Sequence, residues 1–355
     1  MKSDFAIILT TLFVGCFAFS VLINLILLKF AQTLGVRGKE AGQVRWNPNI
    51  KPSLGGISFF LIFLFAIVFV NLSPFNQSGF NIPLIGLFIA TTLAFLMGLA
   101  DDAFNTQPLV KIITQVVCGL ILVLSGNGIY VFDNAFLNTG VTILWVVALM
   151  NSINMLDNMD GITTIVSNVV IMFFIIVCVR TGMTNTALCL INVCVLACLT
   201  GFLIFNFHPS KMFMGDTGSQ FLGLFIAYSS IQIVWNNSLI PSAINPILFN
   251  TVIVILLLII PLTDTTTVVV NRLMAGKSPF IGGKDHTTHH LFFRGITEKR
   301  IFLLYFIISL IAISLAYQLI FHFNYLLLWI SLSYICIVFV TLYISTILKK
   351  AGKST

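Results

Sequence analysis

Apolar runs alternate with short polar breaks along the whole chain, giving eleven segments near 5–28, 54–72, 82–100, 109–125, 137–154, 162–179, 186–205, 218–235, 247–270, 301–321 and 325–347. Most approach the roughly 20 residues that a helix needs to cross a bilayer. The pattern predicts an all-α polytopic integral membrane protein with about 11 transmembrane helices in a single transmembrane domain over residues 1–355. The fifth run is the weakest, because its continuous apolar core extends only from Val141 to Met150 between Asn138 and Asn151. Without it, every later loop would change sides. The first run, from Phe5 to Leu28, is too long for a signal-peptide core and lacks a small-residue cleavage site. It is expected to remain as the first membrane helix.

Composition agrees with the pattern: 58% of the residues are hydrophobic, 8% are charged and the mean hydropathy is +1.06. A soluble domain carries about 25% charged residues, so that class is excluded. The seven cysteines are odd in number and sit inside apolar runs, without the spacing of a disulfide or zinc framework.

Charge decides the orientation. With eleven spans and the N-terminus outside, sixteen of the eighteen Lys and Arg fall on one face, and only Lys2 and Arg180 on the other. Loops rich in basic residues stay in the cytoplasm, so the C-terminus is expected there too. The basic excess reads as topogenesis and attraction to anionic membrane lipids, and no nucleic-acid partner is expected. Carboxylates were not needed to choose this topology. Yet Glu40, Asp101, Asp102, Asp157, Asp160, Asp216, Asp264, Asp285 and Glu298 share the basic face, while Asp4 and Asp133 lie opposite. Carboxylates beside apolar runs are costly and mark a functional site.

The chemistry-bearing loops on that face lie near 30–53, 101–108, 151–161, 206–219 and 271–300. Asp101 and Asp102 end the third run before Pro108 opens the fourth. Neighbouring carboxylates repel unless a cation or basic group intervenes, although a solvated helix end would also explain an isolated pair. Asn154, Asp157 and Asp160 recur every three residues, so on near-helical backbone they offer hard oxygens to one side. Helix capping would account for Asp160 alone. Asp216 stands between Gly215 and Gly218 with Thr217 and Ser219, where the eighth run begins and free amides can meet an anion. An N-cap is again the plainer reading of that aspartate taken singly. In the longest loop, Lys284, His286, His289, His290 and Arg294 form a cluster of phosphate donors or metal ligands. Zinc would want a fourth ligand and usually a cysteine, and the loop has none, which favours anion binding.

Lys51-Pro52-Ser53-Leu54-Gly55-Gly56, the Asp101-Asp102 pair, the Asn154/Asp157/Asp160 array, Met214-Gly215-Asp216-Thr217-Gly218-Ser219 and the histidine loop follow one another in a specific order. That order resembles the polyprenyl-phosphate N-acetylhexosamine-1-phosphate transferases, from about residue 50 to 295. The chain is more similar to the bacterial branch that starts O-antigen, common-antigen and teichoic-acid glycans than to the phospho-N-acetylmuramoyl-pentapeptide transferases, which remain the nearest alternative. Ser278-Pro279-Phe280 precedes the histidines, and an uninterrupted run of three histidines is absent. Two positions depart from the nearer branch. The histidines read His286-Thr287-Thr288-His289-His290 rather than His-x-His-His, and Asn158 stands where a glycine usually follows the first aspartate.

The resemblance implies that undecaprenyl phosphate attacks the sugar-linked phosphorus of a UDP-N-acetylhexosamine at the cytoplasmic face of a bacterial inner membrane, releasing UMP. It implies magnesium as cofactor, with manganese as a substitute, and a homodimer as the candidate assembly. Asp101, Asp102, Asp157, Asp160 and Asp216 are the expected catalytic group, with Asp216 and Asp157 as metal ligands. Lys51, Lys111, Asn154, Gly215, Ser219, Lys284, His286, His289, His290 and Arg294 are the expected substrate contacts. For Asp101 and Asp102, orientation and cation handling are favoured over base catalysis, because a phosphate monoester with a second pKa of about 6 is already largely dianionic at neutral pH. A covalent aspartyl-phosphate is the further chemical alternative. A secondary transporter would place ionisable residues near the midplane and often shows an internal repeat, whereas here the charges gather at helix ends.

Overall fold

The structure is a computed structural model that describes residues 2–34, 51–72, 82–183, 186–236, 244–279 and 282–347. Most of the expected loop near 30–53, including Arg37, Lys39, Glu40 and Arg45, lies outside the described residues, as do Phe280 and the last eight residues.

Among the described residues the chain is helical throughout: α1 (Lys2–Leu34), α2 (Gly55–Leu72), α3 (Ile82–Phe104), α4 (Pro108–Leu124), α5 (Ala135–Leu156), α6 (Ile162–Arg180), α7 (Ala187–Asn206), α8 (Gly215–Ser230), α9 (Pro246–Leu257), α10 (Ile259–Met274), α11 (Thr287–Phe293), α12 (Glu298–Phe321) and α13 (Tyr325–Ile347). Eight of these, α1, α2, α3, α5, α6, α7, α12 and α13, are each long and apolar enough to cross a bilayer. The α4 helix has 17 residues, and the 16 of α8 continue into a π-helical turn, Ile231–Trp235. The expected ninth run is broken, since α9 and α10 meet at 86°. Pro261 accounts for the break: it has no N–H to donate to the carbonyl of Leu257 and its ring would clash with that carbonyl in a continuous helix, and the corner at Leu258 relieves both.

Burial ranks the helices. The most apolar windows of α6 and α7 are 72% and 78% buried, against 22% for α1 and α13, so α6 and α7 are central and the two terminal helices peripheral. Large apolar side chains such as Ile7, Val14, Leu326, Trp329 and Ile337 point outward, as expected for helices whose solvent is lipid.

Close backbone approach positions the site. A Cβ on Gly98 of α3 would lie 2.3 Å from the Asp216 carbonyl oxygen, so α3 and α8 touch through bare backbone. Residues 51–54 run alongside 211–214: Ser53 bridges Phe213 in parallel, Phe213 N donates to Pro52 O (3.0 Å), and Gly55 N and Gly56 N donate to Phe213 O and Met214 O (3.1 and 3.0 Å). The first turns of α2 and α8 therefore start side by side.

Candidate active site

Lys111 is the hub. Pro108 opens α4 at its first turn, where its missing N–H costs nothing, and one turn later Lys111 reaches across to the ends of α3 and α8. Its Nζ donates to Asp101 and, at 2.9 Å, to Asp216 Oδ2. The other oxygen of Asp101 accepts from Thr106 N (2.8 Å) and Thr106 Oγ1 (2.6 Å). Asp102 turns the other way. It accepts from Asp216 N (3.0 Å), Thr217 N (2.9 Å) and Thr217 Oγ1 (2.6 Å), so it caps the otherwise orphaned amides of α8 from another helix. The adjacent Asp-Asp pair thus splits into one residue held by Lys111 and one that anchors the segment carrying Asp216.

Gly215 is required by this arrangement. Its φ is +71°, in the left-handed region, and a Cβ there would sit 2.5 Å from Asp102 Oδ2. Asn154 Nδ2 donates to Ser219 Oγ (3.0 Å), tying the end of α5 to the first turn of α8. One turn deeper, Gln115 exchanges hydrogen bonds with Asn151 and donates to Gln220 Oε1, a chain of amides that braces α4, α5 and α8. The sequence analysis does not single out this chain, although three amides inside apolar runs are a signal, since each needs a partner there.

Asp157 closes α5, and among the described residues no Lys, Arg or His forms an ion pair with it. Burial, reinforced by the charge of Asp216, pushes it up to about 7. Burial and the neighbouring Asp101 likewise push Asp216 up to about 7, against the pull of Lys111. Two carboxyls near one another with too little positive charge, offering hard oxygens, form a donor set suited to a divalent cation of the magnesium class.

The structure gives Asp160 a different employment. It is 3% exposed and accepts from Ser210 N (2.9 Å), Ser210 Oγ (2.8 Å) and Lys51 Nζ (3.4 Å), with His208 Nδ1 at 3.2 Å. Burial works against its charge, but the Ser210 donors keep it below the ordinary carboxylate range. Lys51 also donates to Ser210 Oγ (2.8 Å) and lies over the Phe213 ring. Asp160, His208 and Glu298 have ligand atoms within 4.8 Å of one another. Lys51 already supplies a positive charge there and His208 lies 2.7 Å from Glu298, so a hydrogen-bonded latch accounts for this group.

The histidine loop folds as α11 and docks on the α5–α6 turn. Thr288 Oγ1 donates to Asn158 Oδ1, whose Nδ2 donates to Met155 O (2.8 Å). The two positions at which the sequence departs from the family pattern are therefore in contact with each other. Asn158→Ala and Thr288→Val are expected to impair turnover or stability singly and to add little when combined, with a coupling of about 1 kcal/mol. Additive costs in that cycle would show that the contact contributes nothing.

The expected phosphate donors divide. His289 is buried, and burial with His286 beside it lowers its pKa to about 4, so it is neutral at pH 7 and brings no charge to an anion. His290 is half-buried, and burial lowers its pKa too. Lys284 is exposed. The Arg294 guanidinium donates from Nη2 to Ser345 O (2.7 Å) and caps the end of α13. Last-turn carbonyls attract basic side chains, and a partner 51 positions away leaves no local signal in the sequence.

Residues 84–234 match the glycosyl transferase family 4 model. A probable undecaprenyl-phosphate N-acetylglucosaminyl 1-phosphate transferase of Bacillus subtilis (strain 168) is 27% identical over 282 residues, covering 76% of this chain and 74% of that protein. A decaprenyl-phosphate N-acetylglucosaminephosphotransferase of Mycobacterium leprae (strain TN) is 26% identical over 295 residues, with 76% and 74% coverage. A phospho-N-acetylmuramoyl-pentapeptide-transferase of Staphylococcus carnosus (strain TM300) is 28% identical over 236 residues, covering 60% of this chain and 71% of that protein. The matched region spans the segments that carry Asp101, Asp102, Lys111, Asp157 and Asp216, and over that stretch the chain is similar to the family 4 glycosyl transferases.

Proposed function

We propose that this chain transfers a sugar-1-phosphate, N-acetylhexosamine-1-phosphate, from a UDP-sugar to a polyprenyl phosphate of the undecaprenyl class, releasing UMP. The observation that carries this reading is Lys111 bridging Asp101 and Asp216 where α3, α4 and α8 meet, with Asp157 at the end of α5, which packs on α8. The longer match to the N-acetylglucosamine enzymes than to the pentapeptide enzyme favours the former chemistry.

Both reactants are anions, so the site must neutralise a pyrophosphate while holding an attacking phosphate in line with it. Asp216 and Asp157 would hold a magnesium ion, with Asp101 and Lys111 fixing Asp216. Magnesium, when bound, neutralises phosphoryl oxygens as charge develops on them. Lys111 supplies a second positive charge next to Asp216, and Asp102 keeps Asp216 in register by capping α8. Asn154 and Ser219 offer an amide and a hydroxyl at the same helix ends, and the histidine helix closes the site from the side of Asn158. A dianionic lipid phosphate needs no general base, so neither Asp101 nor Asp102 is assigned that role.

The eleven-span topology with the N-terminus outside belongs to this proposal. It counts α4, α8 with its π turn, and the bent α9–α10 pair as crossings, and puts the site at the cytoplasmic face of the inner membrane. A pair of chains is its expected assembly. The test is UMP release by the purified protein supplied with undecaprenyl phosphate, magnesium and UDP-GlcNAc, UDP-GalNAc or UDP-MurNAc-pentapeptide in turn. Release with an N-acetylhexosamine donor is expected; release with the pentapeptide donor alone, or none with any donor, overturns the assignment.

A further inference from the structure

The α10 helix carries a carboxylate that the transferase chemistry above leaves unused. Asp264 is fully buried, five residues beyond the α9–α10 break. Its Oδ2 is 2.8 Å from His286 Nδ1, and its Oδ1 accepts from Thr287 N (2.8 Å) and from Thr287 Oγ1. The Thr287 hydroxyl has a single hydrogen and spends it on Asp264, so the Tyr305 hydroxyl 2.7 Å away must be the donor to Thr287. The chain of donors runs one way, from Tyr305 through Thr287 to Asp264.

This polarity fixes the histidine. With two Thr287 donors on Oδ1 the Asp264 group is held as the carboxylate, which has no hydrogen to give, so His286 Nδ1 is the protonated nitrogen facing Oδ2. Nε2 is then left for whatever enters the site, as an acceptor on the neutral ring and as a second donor on the charged one. No described residue hydrogen-bonds to His286 Nε2, and the His289 ring packs edge-on at 5.3 Å, which limits rotation of the imidazole.

A second clasp on α10 holds the same loop. Two turns beyond Asp264, the Arg272 guanidinium grips Asp285 through Nε and Nη2, both at 2.7 Å, and donates from Nη1 to Pro279 O (2.8 Å). Burial opposes ionisation of Asp285, but this fork keeps it below its ordinary range. Arg272 therefore fixes the backbone that enters α11, while Asp264 fixes the first side chain of that helix start. Fully burying a carboxylate is costly, and a loop needing only attachment could have used the Arg272 fork alone.

We propose that Asp264 is a positioning residue for the transfer reaction, orienting His286 and its tautomer so that Nε2 faces the phosphate groups. The inference rests on the transferase reading for its kinetic arm only. Asp264→Asn is the informative variant. The amide oxygen can still accept from Thr287 while its NH₂ meets His286 Nδ1, which reverses the tautomer with little change in shape. Turnover is expected to fall by about 100-fold with a smaller change in substrate KM, the scale seen when a histidine's orienting partner is altered.

Three measurements on the full-length protein decide the proposal. In the His286→Gln background, Asp264→Asn is expected to cost less than about 3-fold, because its effect passes through that ring. Equal losses in both backgrounds would show a merely structural role and overturn the proposal. Nitrogen-15 spectra of histidine-labelled wild type are expected to show His286 carrying a proton on Nδ1, and a ring protonated on Nε2 alone overturns it even if Asp264→Asn fails to fold. Should wild type release no UMP, the transferase reading fails, while the spectrum still judges the Asp264–His286 pair.

Discussion

Asp216→Asn is expected to reduce UMP formation by about 10³-fold or more, the scale on which a group that stabilises developing charge is missed. The substitution nearly preserves shape. The Asp102 cap reaches the backbone amide of residue 216 rather than its side chain, so α8 should start where it does now. What disappears is the charge shared with Lys111 at 2.9 Å and half of the proposed cation-binding pair. Raising magnesium should not restore turnover, since an amide oxygen is a weaker ligand and Lys111 then sits beside the cation with less to offset it. Turnover within a few fold of wild type, or rescue by magnesium in the usual concentration range, would remove Asp216 from the centre of the site. A melting curve close to wild type separates loss of chemistry from loss of fold.

Gly98→Ala is expected to cost about 100-fold in turnover and to lower thermal stability by about 1–3 kcal/mol. The added methyl group would lie 2.3 Å from the Asp216 carbonyl oxygen and 2.6 Å from Thr217 Cα. Both are backbone atoms, so no side-chain rotation relieves the clash and α3 must move away from α8. Asp101 and Asp102 follow Gly98 within four residues on the same helix. Separation therefore pulls Asp102 from the α8 amides and widens the gap that Lys111 spans. Gly140→Ala is the control, because nothing lies within 4 Å of the Cβ position at that glycine. Wild-type behaviour of Gly98→Ala would mean that the α3–α8 approach does not set the geometry of the site.

Hydropathy told where helices would form, since each expected apolar run is helical among the described residues, including the short segment around Val141. It said nothing of the corner between α9 and α10, although Pro261 was in view, because a proline inside an apolar run can bend a helix or merely sit in it. The motifs indicated which carboxylates share one end of the bundle. They could not divide the labour among them, because that depends on partners remote in sequence. Asp101 and Asp102 are adjacent and read alike, yet one is bound by Lys111 and the other caps α8. Spacing groups Asp160 with Asp157, whereas in the fold Ser210 and Lys51 donate to Asp160. Asp264 carried no motif signal, because its partner lies 22 residues away across a loop. Arg294 follows the histidines in sequence, and its contact with the end of α13 is legible only in the fold.

The pairing of residues 51–54 with 211–214 has a temporal consequence for a chain inserted into the membrane from its N-terminus. Lys51 and Ser210 are 159 positions apart, so the basic group that faces Asp160 has no fixed seat until the chain up to α8 has been delivered. Until then α2 begins without the strand-like segment that receives its first amides, and Asp102 has no helix to cap. Non-local closures of this kind come late because the intervening chain must first be ordered. The nascent protein therefore passes through most of its insertion as a set of anchored helices without the contacts that assemble the proposed site, and a chain released before α8 would occupy the membrane lacking them.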